Sequence, residues 1–244
     1  MLQIMTPNLA MQLTPIGIIH TPYKEKFAIP RQPGLVKEAV GEIHLHADFA
    51  DPNAFRGIEE FSHLWLLFQF HQTAHRGWSP LVRPPRLGGN AKLGVFATRS
   101  THRPNGIGLS VVENLGLAQK QGKTFLKVGG MDLMDGTPIL DIKPYLPYAD
   151  AIPGASGGFA NQAPEPDMQV QYAAEVIPNL LQAEQRQPGI TDLIKQVLAQ
   201  DPRPAYKKKQ QDIQEFGMHL GEFNIRWQVK SGQSLVTQII ATNS

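Results

Sequence analysis

Cysteine is absent from this chain of 244 residues. Its absence excludes disulfides, thiolate metal sites and a cysteine nucleophile, and it permits a reducing compartment. The first residues, MLQIMTPNLAMQL, have no basic start and no long apolar run, so we do not expect a secretory signal peptide. No apolar run approaches the roughly 20 residues of a membrane-spanning helix. We therefore expect a cytoplasmic protein with no membrane partner.

Two motifs of nucleotide-binding folds are also missing. The sequence contains no G-x-x-x-x-G-K-[ST], which excludes a P-loop. Gly106-Ile107-Gly108 lacks the third glycine of a dinucleotide fingerprint and leads into a predicted strand, which argues against a Rossmann fold. None of the eight histidines pairs at helical spacing within a predicted helix, so we expect no metal site. The net charge of +2 is too balanced to indicate nucleic-acid binding by itself.

The residues that are present indicate strands joined by long loops. The 22 glycines and 20 prolines argue against a helical bundle. Residues 41–46 alternate apolar and polar side chains, as in a half-buried strand. Residues 61–70, FSHLWLLFQF, are aromatic and apolar, which predicts a strand buried on both faces. Residues 107–117 and 123–128 predict a hairpin. We predict a mainly β fold, with the strand spacing of a sandwich or a barrel.

The composition of the chain changes near residue 150. Residues 148–166 are rich in glycine, alanine, proline and serine, which predicts a linker between two domains. We assign the first domain to residues 1–150 and the second to residues 167–244. In the second domain, a strand, two helices separated at residues 188–189 and a closing hairpin around residues 231–233 predict a small α+β unit.

A polar loop between two apolar runs is the first candidate for a binding site. Residues 94–97 predict a strand, and the loop at 98–105, TRSTHRPN, follows with two arginines, three hydroxyl residues and a histidine. Such a density of hydrogen-bond donors is typical of a site for an anionic or polar ligand. The alternative is a long hairpin with a solvated tip.

Three further loops carry polar clusters, and in a barrel all four loops can meet at one end. An arginine there can bind a carboxylate as a bidentate fork, and an aspartate can accept from an ammonium, an amide or a hydroxyl. The apolar neighbours Phe96, Leu109 and Met131 can enclose an aromatic ring. This set suits a zwitterionic or dipolar ligand, although aspartates in such loops are also typical turn formers. The clusters are Pro30-Arg31-Gln32, His71-Gln72, residues 99–105 and residues 132–135.

Five longer motifs occur in one order between residues 14 and 150. They are PYKEKFAIPRQPG at 22–34, FSHLWLLFQFH at 61–71, RPPRLGG at 83–89, GVFATRSTHRPN at 94–105 and DGTPILDIKPY at 135–145. In these motifs the chain resembles the TsaA-type family of S-adenosylmethionine-dependent tRNA N6-adenine methyltransferases. The tail, with LAQDPRPAY at 198–206 and FNIRW at 223–227, is similar to the longer bacterial form. One position departs from the family pattern R-P-N-P-I-G, because this chain has Gly106 after Asn105.

This resemblance implies a β-barrel methyltransferase domain that binds S-adenosylmethionine outside any Rossmann fold and acts as a homodimer. It implies methylation of N6 of threonylcarbamoyl-adenosine, the nucleoside 3′ of the anticodon, so the implied partner is the tRNA anticodon loop. The base that takes the N6 proton stays open among Asp132, Asp135 and His71. The resemblance places cofactor contacts at Pro30, Arg31, Gln32, His71, Gln72, Arg99, Leu109, Asp132, Leu133, Met134 and Asp135.

The most basic stretch follows the predicted helices. We expect its residues to contact the phosphate backbone of tRNA, with a merely solvated face as the alternative. Two other functions stay open at this point: a β-barrel module that binds RNA or a small molecule without chemistry, and a hydrolase that uses the aspartates and histidines. The basic residues are Lys207, Lys208, Lys209, Arg203 and Lys195.

Overall fold

The computed structural model describes residues 12–88, 90–166, 168–204, 207–208 and 212–242. Within those ranges the chain forms twelve strands and three α-helices, which confirms the mainly β composition predicted from the sequence. The described ranges do not include Lys209. They also do not include residues 1–11, which make up most of the N-terminal stretch that we do not expect to be a signal peptide. No helix among the described residues is both long enough and apolar enough to cross a membrane.

The strands and helices follow in chain order. The strands are β1 (Gly17–His20), β2 (Val40–Leu45), β3 (His63–Gln69), β4 (Leu81–Val82), β5 (Leu93–Gly94), β6 (Ile107–Lys120), β7 (Lys123–Gly129), β8 (Thr137–Pro144), β9 (Gln169–Tyr172), β10 (Gln214–Leu220), β11 (Phe223–Lys230) and β12 (Gln233–Ala241). The helices are α1 (Pro147–Asp150), α2 (Ile177–Arg186) and α3 (Ile190–Ala199).

Six strands hydrogen-bond in the closed order β1-β2-β7-β6-β3-β8, which makes a closed barrel. Closure comes from β8, because it pairs with β3 on one side and with β1 on the other. Along β3, Leu64, Leu66 and Phe68 are buried, whereas the residues between them are partly exposed. The prediction that this strand is buried on both faces was therefore wrong: its three buried residues form one face of the period-2 pattern and line the core.

The prediction of a strand at residues 94–97 was also wrong. Only Leu93–Gly94 forms a strand, and it pairs with Leu81–Val82 in a separate two-stranded ribbon. Val95–Ala97 makes a 3₁₀ turn instead, and the N–H of Thr98 closes it on the carbonyl of Val95. A run of four apolar residues does not by itself distinguish a strand from a turn whose side chains are partly buried.

The C-terminal residues form a second sheet in the order β10-β11-β12-β9, with α2 and α3 packed against it. The predicted break between the two helices is confirmed, because α2 ends at Arg186 and Gly189, with a φ of 87°, precedes α3. Strand β10 was missed. This sheet joins the barrel through a β-bridge between Tyr23 and Leu220 and a hydrogen bond from the Gly221 N–H to the Pro22 carbonyl.

Gly108 in β6 lies against the ring of Phe68 on β3. A Cβ at this position would overlap that ring, whereas a Cβ on Gly94 would meet no atom within 4 Å. We expect Gly108→Ala to lower the free energy of unfolding by about 2 kcal/mol, since overpacking forces neighbours off their rotamers. Gly94→Ala is the matched control and is expected to stay near wild type. Urea unfolding measures both, and equal stability of the two variants would contradict the close packing of Phe68.

Candidate active site

The first part of the site is a hydroxyl–carboxylate pair at the end of β7. This strand ends at Gly129, opposite Glu113 on β6. Ser110 and Asp132 each lie three residues beyond that last pair, one on β6 and the other on the chain that follows β7. The hydroxyl of Ser110 donates a 2.5 Å hydrogen bond to Oδ1 of Asp132. Ser110 itself is only 1% exposed, which makes the pair an inward-facing one.

The surroundings of Asp132 favour its neutral form. Burial raises the pKa of the Asp132 carboxyl, and the hydrogen bonds from Ser110 and its own backbone and the charge of Arg99 offset this only in part. Tyr23 lies nearby and is fully buried, and its hydroxyl has no hydrogen-bond partner among the described residues. Burial, followed by the charge of Asp132, raises the pKa of Tyr23, so this phenol keeps its proton at any physiological pH.

Arg99 joins two of the predicted loops. Its Nη1 donates a 2.6 Å hydrogen bond to Oε1 of Gln32, and its charge acts on Asp132. The loop that carries Gln32 is held beside the Asp132 loop by a 2.8 Å hydrogen bond from the Gly34 N–H to the Gly130 carbonyl. The structure therefore brings three of the four polar clusters together around Gln32, Arg99 and Asp132.

The other donors of the arginine loop are used to hold its own shape. Arg103 donates through Nη1 to the carbonyl of Thr98 at 2.6 Å, and Thr98 and Ser100 hydroxyls bond backbone groups of the same loop. Gly106 adopts a φ of 60°, donates to the Arg103 carbonyl and accepts from the Phe70 N–H. A proline has neither that φ nor an N–H, so Gly106 determines the turn of this loop.

Asp135 is a structural residue in this arrangement. Its carboxylate accepts from the Thr21 N–H at 2.9 Å and pairs with Lys24 Nζ at 2.7 Å, and His20 Nδ1 lies 3.6 Å away. Its own N–H donates to the Tyr23 carbonyl. These bonds fix the turn before β8, so they support the alternative in which Asp135 is a turn former.

Hydrogen bonds also hold the backbone between Asp132 and Asp135. Leu133 buries its side chain, and its carbonyl accepts from the Thr21 hydroxyl at 3.1 Å. The carbonyl of Met134 accepts from the Thr137 hydroxyl at 2.7 Å. Any ligand contact of Leu133 is therefore made through its main chain, while Met134 is half-buried.

His71 and Gln72 follow β3 and bond to each other, with His71 Nε2 and Gln72 Nε2 3.0 Å apart. Partial burial lowers the pKa of His71, so the ring is neutral near pH 7 and accepts from the Gln72 amide. The bond between the Phe70 N–H and the Gly106 carbonyl places this pair beside the arginine loop. Among the described residues, no hydrogen bond links the pair to Arg99 or Asp132.

Among the described residues, three predicted positions have no hydrogen bond to Gln32, Arg99 or Asp132. Pro30 is buried and Arg31 is exposed, and both line a groove whose other wall includes Val197 and Asp201 of the C-terminal unit. Leu109 is 53% exposed on β6. Because neighbouring strand residues point to opposite faces, Leu109 faces away from the barrel interior that receives Ser110.

Sequence reasoning missed Ser110 and Tyr23. The signal for Ser110 was available: a hydroxyl residue two positions after Gly108, inside an apolar strand, needs a hydrogen-bond partner when it is buried. Tyr23 gave no such signal, because its position beside Asp132 depends on how residues 21–24 cross the loop before β8.

The expected tRNA contact of the C-terminal basic stretch is only partly compatible with the structure. Arg203 is 8% exposed and binds Asp201 through Nε at 2.7 Å and Nη2 at 3.0 Å. Lys208 Nζ lies 3.0 Å from the second oxygen of the same carboxylate. The prediction was therefore wrong for Arg203, because a buried ion pair holds it away from solvent. Lys195 is exposed.

Two sequenced relatives are similar to most of this chain. The tRNA (adenine(37)-N6)-methyltransferase of Escherichia coli K12 is 55% identical over 220 residues, which cover 90% of this chain and 94% of that protein. A Pseudomonas aeruginosa protein named putative S-adenosylmethionine-dependent methyltransferase RcsF is 48% identical over 217 residues, which cover 88% of this chain and 91% of that protein.

Structure comparison and family models agree with these relatives. The crystal structure of TrmO from Pseudomonas aeruginosa superimposes with a TM-score of 0.79 and 39% identity, covering 96% of this chain and 99% of that chain. A model described as the tRNA-methyltransferase O N-terminal domain matches residues 18–151. A TrmO C-terminal domain model matches residues 165–242. The chain that carries the Gln32, Arg99 and Asp132 cluster at one end of its barrel belongs to the TrmO family.

Proposed function

We propose that this chain transfers a methyl group from S-adenosylmethionine to N6 of an adenosine beside the anticodon of tRNA. Its family membership and its relative named tRNA (adenine(37)-N6)-methyltransferase support this reaction. The observation that carries it is the series of contacts from Gln32 through Arg99 to Asp132 and Ser110. A cationic and a partly buried anionic group, held side by side, suit a zwitterionic methyl donor.

The finer parts of the proposal concern substrate, assembly and place. The adenosine carries a threonylcarbamoyl group, and the enzyme works in the cytoplasm. Residues 1–150 form a β-barrel methyltransferase domain, and residues 167–244 form a small α+β domain. The chain acts as a homodimer in which a partner copy can cover the exposed Leu109.

The polar atoms of the cluster fit S-adenosylmethionine. When bound, this molecule supplies an electrophilic methyl group on a positively charged sulfur. Arg99 offers a guanidinium fork for a carboxylate, and Asp132 offers negative charge close to a cation. Leu133 and Pro30, whose side chains are buried, contribute through the main chain. The proposed cofactor site keeps all the positions that the family resemblance implies: Pro30, Arg31, Gln32, His71, Gln72, Arg99, Leu109, Asp132, Leu133, Met134 and Asp135.

Asp132 is the residue that we assign as the proton acceptor. The N6 of a carbamoylated adenine is a poor nucleophile, so removal of its proton must be assisted. The carboxylate of Asp135 is already engaged by Lys24 and Thr21, whereas that of Asp132 accepts only from Ser110 and its own backbone among the described residues. Desolvation makes the Asp132 carboxylate a stronger base than an exposed one. Arg99, by binding a carboxylate, holds the reactants aligned.

The function is tested by mass spectrometry of nucleosides from the anticodon loops of tRNA. Cells without the gene are expected to lose the N6-methylated nucleoside and to accumulate its unmethylated precursor. The wild-type gene should restore the methylated nucleoside. An unchanged nucleoside profile in the deletion strain would refute the proposal. The mass of the precursor also reveals whether it carries a threonylcarbamoyl group.

A further inference from the structure

One long segment of this chain contains no acidic residue. All 21 aspartates and glutamates lie outside residues 61–112, although this segment crosses β3, the arginine loop and the start of β6. A segment with several positive charges and no negative charge produces a positive electrostatic potential. Only the mobile ions of the solvent screen this potential. Its arginine and lysine residues are Arg76, Arg83, Arg86, Lys92, Arg99 and Arg103.

The middle of this segment folds into the ribbon of β4 and β5. Leu81 pairs with Gly94 and Val82 with Leu93, and the pairing ends there, so Arg83 and Lys92 are the residues next to the last pair of the ribbon. Arg83 and Lys92 are therefore two exposed positive charges at the same end of the ribbon. An anion bound there would offset their mutual repulsion.

The positive charges on and beside the ribbon have no acidic partner among the described residues. Arg76, Arg83 and Lys92 are exposed, and no ion pair involves them within the described part of the chain. In the part of the chain that the structure describes, Arg86 and Arg103 donate only to backbone carbonyls. The charge of this surface is therefore available to a negatively charged partner.

Two aromatic side chains stand among these charges. Trp78 is 54% exposed and Phe96 is 76% exposed. The Ser79 N–H bonds the His102 carbonyl and the Val95 N–H bonds the Pro80 carbonyl, so both aromatic residues flank the end of the ribbon next to the arginine loop. Exposed rings interleaved with arginine and lysine are typical of surfaces on which unpaired bases stack while phosphates are neutralised.

We propose that the β4–β5 ribbon is the surface that holds the tRNA anticodon stem and loop, with Arg76, Arg83 and Lys92 on phosphates and Trp78 and Phe96 against unpaired bases. This inference rests on the proposed function, since it gives that reaction its RNA-binding surface. The ribbon leads directly through residues 95–98 to Arg99, so RNA bound there lies next to the cofactor cluster. It takes over the role first expected of the C-terminal basic stretch, where Asp201 pairs with both Lys208 and Arg203.

The test compares two triple variants of the full-length protein. Arg76→Ala, Arg83→Ala and Lys92→Ala are combined in one, and Lys120→Ala, Lys123→Ala and Lys230→Ala in the other. The control removes the same charge from exposed lysines at the tips of the β6–β7 and β11–β12 hairpins. Binding to an unmethylated tRNA transcript is measured between 50 and 200 mM salt, and S-adenosylmethionine binding is measured by calorimetry.

The ribbon variant is expected to lower the slope of log affinity against log salt by about 2. It should weaken tRNA binding at least tenfold and leave S-adenosylmethionine binding unchanged, while the control keeps the wild-type slope. An unchanged slope in the ribbon variant, or an equal fall in both variants, would overturn the assignment. So would a changed sedimentation mass with unchanged tRNA affinity, since the ribbon would then join two copies of the chain. The proposed function fails separately, if the wild-type protein neither binds nor methylates tRNA.

A second measurement tests the aromatic residues. Stacking of a base on Trp78 should quench part of the tryptophan fluorescence when tRNA binds, and Trp78→Phe should remove that part. Trp78→Ala is expected to weaken binding about tenfold, while Trp78→Phe retains most of the affinity. Full quenching in the Trp78→Phe protein would contradict the stacking role, because it would assign the signal to Trp65 or Trp227.

Discussion

Arg99→Ala is expected to weaken binding of either S-adenosylmethionine or the threonylcarbamoyl-bearing tRNA about a hundredfold. A guanidinium that binds a carboxylate makes charge-assisted hydrogen bonds, and the loss of such a pair costs a few kcal/mol. Arg99 is exposed and bonds only Gln32 within the described part of the chain, so it has a free edge for a ligand. Calorimetry with the cofactor and filter binding with modified tRNA show which carboxylate it holds.

Two control variants distinguish the loss of the guanidinium fork from the loss of a positive charge. Arg99→Lys keeps the charge but not the planar fork, so we expect it to recover only part of the affinity. Arg226→Ala removes one positive charge from the exposed face of β11, far along the chain from the cluster, and should bind both ligands as the wild type does. If both binding constants of Arg99→Ala equal those of the wild type, Arg99 does not grip a carboxylate.

The loops of the site could be predicted from the sequence, but their pairing could not. Arginine, histidine and aspartate clusters between apolar runs mark the loops, and Arg99 and Asp132 were identified in this way. The Ser110–Asp132 hydrogen bond forms where β6 extends beyond its last residue pair with β7. A pattern of apolar residues gives the face of each strand, but not how far two strands overlap.

Accessible charge is harder to predict from the sequence than buried apolar positions. Three consecutive lysines make the C-terminal stretch the most basic one, whereas the acid-free segment has its basic residues spread over a long range. Arg203 illustrates why composition misleads here: a side chain that looks available is buried against Asp201, two residues away. Which charges remain unpaired is a property of the folded chain, so only the structure separates Arg83 and Lys92 from Arg203.

Asp132→Asn is expected to lower kcat by a factor of about 10² to 10⁴, the usual contribution of a general base. Asparagine has nearly the same shape and still accepts the hydrogen bond from Ser110, so the loop keeps its geometry. In the wild type, kcat should rise with pH as Asp132 ionises, and this rise should lie above the usual range of an aspartate because burial raises its pKa. Single-turnover rates between pH 4 and 8 measure both effects, and the Asn variant should lose this rise.

Asp132→Asn is expected to lower kcat but to leave the stability of the fold unchanged or raise it. The pKa of Asp132 is higher in the folded state than in the unfolded state, so its stabilising contribution is complete at low pH and is lost as the pH rises through the folded-state value. At neutral pH the ionised carboxylate therefore costs stability, and Asp132→Asn should unfold at an equal or higher urea concentration than the wild type. Asp135→Asn is the matched control: it weakens the bonds to Lys24 and Thr21 and should lower stability. If Asp132→Asn loses both activity and stability, Asp132 is a structural residue. If it loses activity and keeps its stability, the carboxylate serves the reaction and lowers the stability of the fold.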